Sequence, residues 1–165
     1  MTSAKAPSLS DLSVPLKDRL EAFLVFFGHG SGYHGFDAET LQGVSLVSAQ
    51  PETQTVRYTL AVRPELSNRN GHMHGGAITA IFDTLTTSAL ILVIKSGYWE
   101  SLGVSRTLTV TFLRPVPVGS KVFIDCTIIG VGRKMASLQG RMTTEDGKTC
   151  ATCVHDKAVA EGPRL

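Results

Sequence analysis

The stretch from Asn68 to Asp83, NRNGHMHGGAITAIFD, holds the densest set of groups in the chain that could do chemistry. Gly75 and Gly76 follow His74 where a loop enters an apolar helix. Two glycines there leave the first backbone N–H groups uncovered at the positive end of the helix dipole. Such an end can hold an anion or a developing oxyanion, the alternative being a plain flexible helix start. Asp83 is the odd residue, a carboxylate flanked by Phe82 and Leu85 that is costly to bury unless paired, hydrogen-bonded or used. Residue chemistry alone leaves a solvated Asp83 and a functional one both open.

Spacing decides how these groups could cooperate. Eight residues separate Gly75 from Asp83, which on one helix is about 12 Å along the axis. A reacting carbonyl needs its donor and its base each within roughly 3 Å. If the two act together, the donor end comes from one protomer and the carboxylate from another, across two helices running side by side in opposite directions.

The elements that must position them are legible as patterns. Ile78, Ile81, Phe82, Leu85, Ala89 and Leu92 recur at helical spacing and predict a core-facing side, while Gly76, Thr79, Ala80, Asp83 and Thr87 share the other. Strand-like segments are expected at 41–49, 54–63, 104–114, 120–130, 135–145 and 148–159. Alternation is clearest in Leu108, Val110 and Phe112 and in Val122, Ile124, Cys126 and Ile128, and Asp146-Gly147 marks a hairpin turn. Upstream, Ser13 is a candidate N-cap with Pro15 in the first turn of an amphipathic helix of Leu16, Leu20, Phe23, Leu24 and Phe27 that Gly28 stops. This helix is expected to lie across the domain or line a pocket mouth. Strands, one long apolar helix and further antiparallel strands make an α+β protein.

The set Asn68, Gly71, His74, Gly75, Gly76 and Asp83 resembles the signature of small hotdog-fold acyl-CoA thioesterases, especially the thioesterase superfamily member 2 and phenylacetate-pathway type. The likeness runs from about Phe36 to Val159. It includes Gly103-Val104-Ser105 leading into Thr109 to Pro115, similar to the family's strand that carries a site serine. The resemblance implies an antiparallel sheet wrapped around one central helix, over 36–160, after an N-terminal tail, helix and connector at 1–35 and before a tail at 161–165. It implies a homodimer, paired into a tetramer, with inter-subunit active sites, acyl-CoA as substrate and no metal or organic cofactor.

The resemblance also implies roles. The Gly75 N–H would polarise the thioester carbonyl, Asn68 would add its amide there or at the attacking water, and His74 would orient the carbonyl or the loop. Asp83 would serve as general base or as nucleophile, with Ser105 holding the carboxylate or its water. Gly76 would line the substrate site, and Arg133-Lys134, on a turn between strands, suits the CoA phosphates; an ordinary charged turn reads the same way. The connection Lys95 to Leu102, KSGYWESL, is about four residues longer than the family's usual one, so Tyr98 and Trp99 are candidates for shaping the acyl pocket or an oligomer contact. Competing readings are a thioesterase acting on carrier-protein-bound acyl chains and a non-catalytic acyl-CoA-binding hotdog. A dehydratase fits less well, since its usual Asp-to-His spacing is absent around Asp83.

The whole-chain quantities are consistent with this. One domain of 165 residues suffices for a real core. A net charge of +2 without a basic run argues against nucleic acid, and the absence of an uninterrupted apolar run near 18 residues argues against a membrane span. Cys126, Cys150 and Cys153 suggest a reducing, intracellular setting, cytoplasmic first, with mitochondrial and peroxisomal placement as alternatives. Cys150 and Cys153 lie on a strand-like segment that turns positions i and i+3 to opposite faces, so no zinc site is read there. The Gly-rich segment Gly28 to Gly35 lacks the lysine and spacing of a phosphate loop and reads as a mobile connector, and nothing near His29 or His34 completes a metal set. Pro163-Arg164-Leu165 is only loosely similar to a peroxisomal tripeptide.

Overall fold

The computed structural model describes residues 9–28, 30 and 32–159. The expectations placed on residues 1–8, on His29 and on the C-terminal tripeptide lie outside the described residues. The elements run α1 (Leu16–Phe27), α2 (Phe36–Leu41), β1 (Ser45–Gln50), β2 (Thr55–Ala61), α3 (Gly75–Ser88), β3 (Val104–Phe112), β4 (Lys121–Val131), β5 (Met135–Thr144) and β6 (Thr149–Ala158). Six antiparallel strands form one sheet in the order β1-β2-β4-β5-β6-β3. The sheet carries α3 on one face, the hotdog arrangement that the family resemblance implies.

Periodicity explains the core. Ile78, Ile81, Phe82, Leu85 and Ala89 are buried, and a 3-10 turn at Ala89–Leu92 extends α3. They meet the inward faces of the strands, Val56, Tyr58 and Leu60 on β2 and Val122, Ile124, Cys126 and Ile128 on β4. Gly140 on β5 lets the helix seat this closely, because a Cβ there would stand 2.6 Å from Phe82 Cδ1 and 2.6 Å from Cys153 Sγ. By length and apolarity Gly75–Leu92 could cross a bilayer, but more than half of it is buried within the protein. It is the core helix, not a span. The three cysteines are free and buried.

Three local expectations are corrected. Ser13 does not cap α1: both its N–H and its hydroxyl bond to Asp11 Oδ1, at 3.0 and 2.6 Å, and the helix starts behind Pro15 without a side-chain cap. The strand read from about residue 41 starts only at Ser45, because α2, a helical turn and a half that buries Ala38 and Leu41 at i and i+3, runs to Leu41. Trp99 is not an exposed contact surface; it packs behind Gly103. It is 3% exposed, and its Nε1 donates to Gly132 O at 2.8 Å, tying the longer 95–102 connection to the β4–β5 turn.

One strand stands out for what it does not bury. β3 lies at the sheet edge, bonded among the described residues only to β6, and the apolar residues at its two ends are poorly covered: Val104 is 51% and Phe112 53% exposed, with Leu113 next to it at 51%, while Leu108 and Val110 between them are half-buried. It carries neither Lys nor Pro to protect its open edge.

Candidate active site

The loop before α3 is built by Asn68. Its Oδ1 accepts from the N–H groups of Asn70 (2.9 Å) and His72 (3.3 Å), its own N–H donates to His72 O, and Gly71 makes the turn at φ +73°. With the oxygen thus committed, the Asn68 amide can offer a ligand only its N–H donors. His74 is the N-cap of α3: its Nδ1 accepts the Gly76 N–H at 2.8 Å, which fixes that nitrogen as an acceptor and takes the Gly76 donor out of use. The Gly75 N–H has no partner among the described residues. It opens onto a cleft of about 400 Å³ with Asn68, Ile78, Phe112, Arg114 and Val116. A Cβ at Gly75 would lie 3.3 Å from the Phe112 ring, so the far end of β3 stands directly over the start of α3.

Asp83 sits two turns further along α3, its side chain 48% exposed. Ser105 Oγ donates to its Oδ1 at 2.6 Å. Behind Ser105 stands His155 on β6, fully buried, with Nε2 2.9 Å from Ser105 Oγ and 3.3 Å from Asp83 Oδ1. On its other side Nδ1 lies 2.7 Å from the Thr86 hydroxyl, which is also 2.6 Å from Phe82 O. Burial first, then the nearby Lys157 charge, pushes His155 down to about 4 against the pull of Asp83 and Asp156. The imidazole is therefore neutral at pH 7. Ser105 spends its one proton on Asp83 and Thr86 spends its own on Phe82 O, so each hydroxyl is an acceptor toward the ring, and the single proton of the neutral imidazole serves one of them, on Nε2 toward Ser105 or on Nδ1 toward Thr86. Lys157, also buried, approaches Ser105 Oγ at 3.5 Å; burial lowers its pKa and Asp83 opposes that. Asp83 Oδ2 has no partner among the described residues and is left for water or substrate.

The sequence reading missed Thr86, His155 and Lys157. Their signal was present in β6: His155 and Lys157 alternate with Val154 and Asp156 and continue the inward row of Ala151 and Cys153, titratable residues on a core-facing row. What brings them to Ser105 is register. β3 bulges between Ser105 and Thr107, which pairs Ser105 with Lys157 and Thr107 with Asp156. Gly103, at φ +63°, admits the chain to this point, since a Cβ would meet Ala158 O at 2.3 Å.

The predicted residues thus fall into two groups on one chain. Asn68, His74 and Gly75 gather at the start of α3, and Asp83 and Ser105 gather with His155 and Lys157 at a separate cavity of about 180 Å³. Arg133 and Lys134 lie on the exposed β4–β5 turn, outside both. Met135 and Val104 both pair with Ala158, so this turn is at the Ser105 end of the sheet, about 10 Å away across two strand spacings. Among the described residues no three His, Cys, Asp or Glu side chains are grouped so as to hold a metal ion.

A family model described as the thioesterase superfamily matches residues 70–151. Acyl-coenzyme A thioesterase 13 of Mus musculus is 30% identical over 124 residues, which is 74% of this chain and 84% of that protein. The proofreading thioesterase EntH of Klebsiella pneumoniae is 35% identical over 83 residues, 50% of this chain and 58% of that protein. The crystal structure of mouse thioesterase superfamily member 2 matches with a TM-score of 0.73 at 26% identity, covering 89% of this chain and 99% of that one.

Proposed function

Since this chain belongs to the thioesterase superfamily and is a thioester hydrolase, we propose that it cleaves acyl-CoA to a free acid and CoA at sites completed by two copies of the chain. The observation that carries the shared site is the placement of both half-sites along β3. Ser105, seven residues before Phe112, marks the Asp83 end, and Phe112 marks the Gly75 end. Antiparallel pairing of this open edge with the same edge of a second copy, centred near the middle of the strand, lays each Ser105 end beside the other copy's Phe112 end. Asp83 of one chain then faces Gly75 of its partner, and exposed Val104 and Phe112 become covered. The 12 Å that separates the two groups along one helix is thereby bridged between helices.

In this site the thioester oxygen lies at the Gly75 N–H with the Asn68 amide donors beside it, where negative charge grows as the carbonyl is attacked. Asp83 takes a proton from water through its unpartnered Oδ2 while Ser105 and His155 hold Oδ1 in place. Water oxygen bonds to the carbonyl carbon, the C–S bond breaks, and the proton passes to the sulfur to give CoA thiol and the acid. Arg133 and Lys134 meet the phosphates of the CoA nucleotide.

The test is complementation. Asp83→Asn and Asn68→Ala proteins, each well below wild-type activity, are mixed in equal amounts under conditions of subunit exchange. Half the dimers are then mixed, and in each of these one of two sites receives both intact groups, so about a quarter of the sites regain activity. Proven exchange without recovered thiol release rejects the shared site.

A further inference from the structure

The cavity beside Asp83 has one wall that the reaction described above does not use, the C-terminal turn of α1. We infer that this chain selects compact acyl groups of about six heavy atoms beyond the carbonyl, and that Phe23 and Phe27 set the limit. The inference rests on the acyl-CoA reading and names the substrate class for that site. Asp83 lines the cavity with Phe23, Phe27 and Leu102 as its apolar side and Asp37, Thr87 and Lys157 among its polar residues, so a thioester carbon within reach of Asp83 has one substituent pointing into it. At roughly 30 Å³ per water-sized group, about 180 Å³ admits around six such groups. The CoA arm, with its pantetheine and nucleotide, is several times too large. Only the acyl arm fits.

The wall is fixed rather than yielding. Phe23 is fully buried with its ring centroid 4.6 Å from that of Phe27. Phe26 packs edge-on against Phe27 at 5.1 Å. The helix is pinned below by buried Arg19, whose guanidinium donates to Leu9 O at 3.0 Å and Ile91 O at 3.5 Å. On the opposite wall Leu102 is held in the left-handed region at φ +57°, next to Gly103, which has no room for a Cβ. The Thr87 hydroxyl is spent on Asp83 O at 2.7 Å, so it makes no demand on a hydrocarbon chain. A larger apolar cleft, about 660 Å³, lies beside Phe36, Leu66, His74 and Ala77. A long chain would need that space instead, which makes chain length the deciding measurement.

The experiment measures kcat/KM for straight-chain acyl-CoA esters from two to sixteen carbons by thiol release. Each methylene that enters the cavity gains about fourfold, from about 0.8 kcal/mol per CH₂, and one left in water gains nothing. The wild-type kcat/KM should therefore rise about fourfold per carbon up to about eight carbons or fewer and gain nothing further by twelve. Phe27→Ala should move the end of this rise at least two carbons longer, and Phe27→Trp should move it shorter. Circular dichroism checks that each variant is folded, and either variant alone gives the direction of the shift. A rise that continues to twelve to sixteen carbons, or a limit that folded Phe27 variants leave unmoved, overturns the inference. Hydrolysis of none of the series overturns the acyl-CoA reading itself, a separate and distinguishable result.

Discussion

His155 should make the protein acid-sensitive in a defined pH window. In the unfolded chain its imidazole takes a proton near the ordinary value of 6.5, whereas in the native state burial and Lys157 hold it down to about 4. Between those values the unfolded state binds more protons, so stability falls as pH falls and levels off below about 4. At 1.36 kcal/mol per unit the full loss is about 3 kcal/mol, with a steepest slope near 1.4 kcal/mol per pH unit. For a chain of this length that corresponds to a fall in Tm of roughly 6–12 °C. Carboxylates do not mask the effect. Asp125, which burial raises and the Arg57 and Arg141 guanidinium groups lower to a net depression, loses its contribution only below its ordinary 3.8. Lys157, lowered by burial, acts in the alkaline range. The assay is urea or thermal unfolding from pH 7.5 to 4 for the wild type and His155→Gln, with the histidine ring signals followed by NMR. The variant should lose most of the slope between 6.5 and 4. An unchanged slope in folded His155→Gln, or a His155 signal that titrates near 6.5, would refute the reasoning.

Two further outcomes follow from the same geometry. Gly103→Ala should lower stability by more than about 2 kcal/mol, since left-handed backbone alone costs an L-residue about 1–2 kcal/mol and the new Cβ would strike Ala158 O at 2.3 Å; denaturant unfolding checks this, and a near-neutral result would show that the β3 entry relaxes freely. Arg133→Ala with Lys134→Ala should raise KM for acyl-CoA with kcat little changed, because the charges bind ground and transition states alike, and should spare short thioesters lacking the nucleotide; equal effects on both substrate types would show a role in folding or assembly.

The sequence by itself determined what is local. The apolar stripe of α3, the alternation of β4, the hairpin at Asp146-Gly147 and the glycine start of α3 follow from residue periods of 3.6 and 2 and from backbone freedom, which neighbours along the chain fix. The same arithmetic separated Gly75 from Asp83 before any fold was known. Where a short-range signal had a close competitor, it misled: Asp11 took the Ser13 hydroxyl from the helix start, and the strand expected from residue 41 starts only at Ser45, behind a helix that ends on buried Leu41. Tertiary structure alone decided the surroundings of Asp83. Ser105, His155 and Lys157 meet because a bulge sets the register of β3 on β6, about 50 residues away, and a one-residue slip would turn those side chains to the other face. The placement of Phe23 and Phe27 beside the carboxylate, and of Trp99 in the core, depends likewise on contacts between segments far apart in sequence. Periodicity shows that such residues face inward; only packing decides what they face.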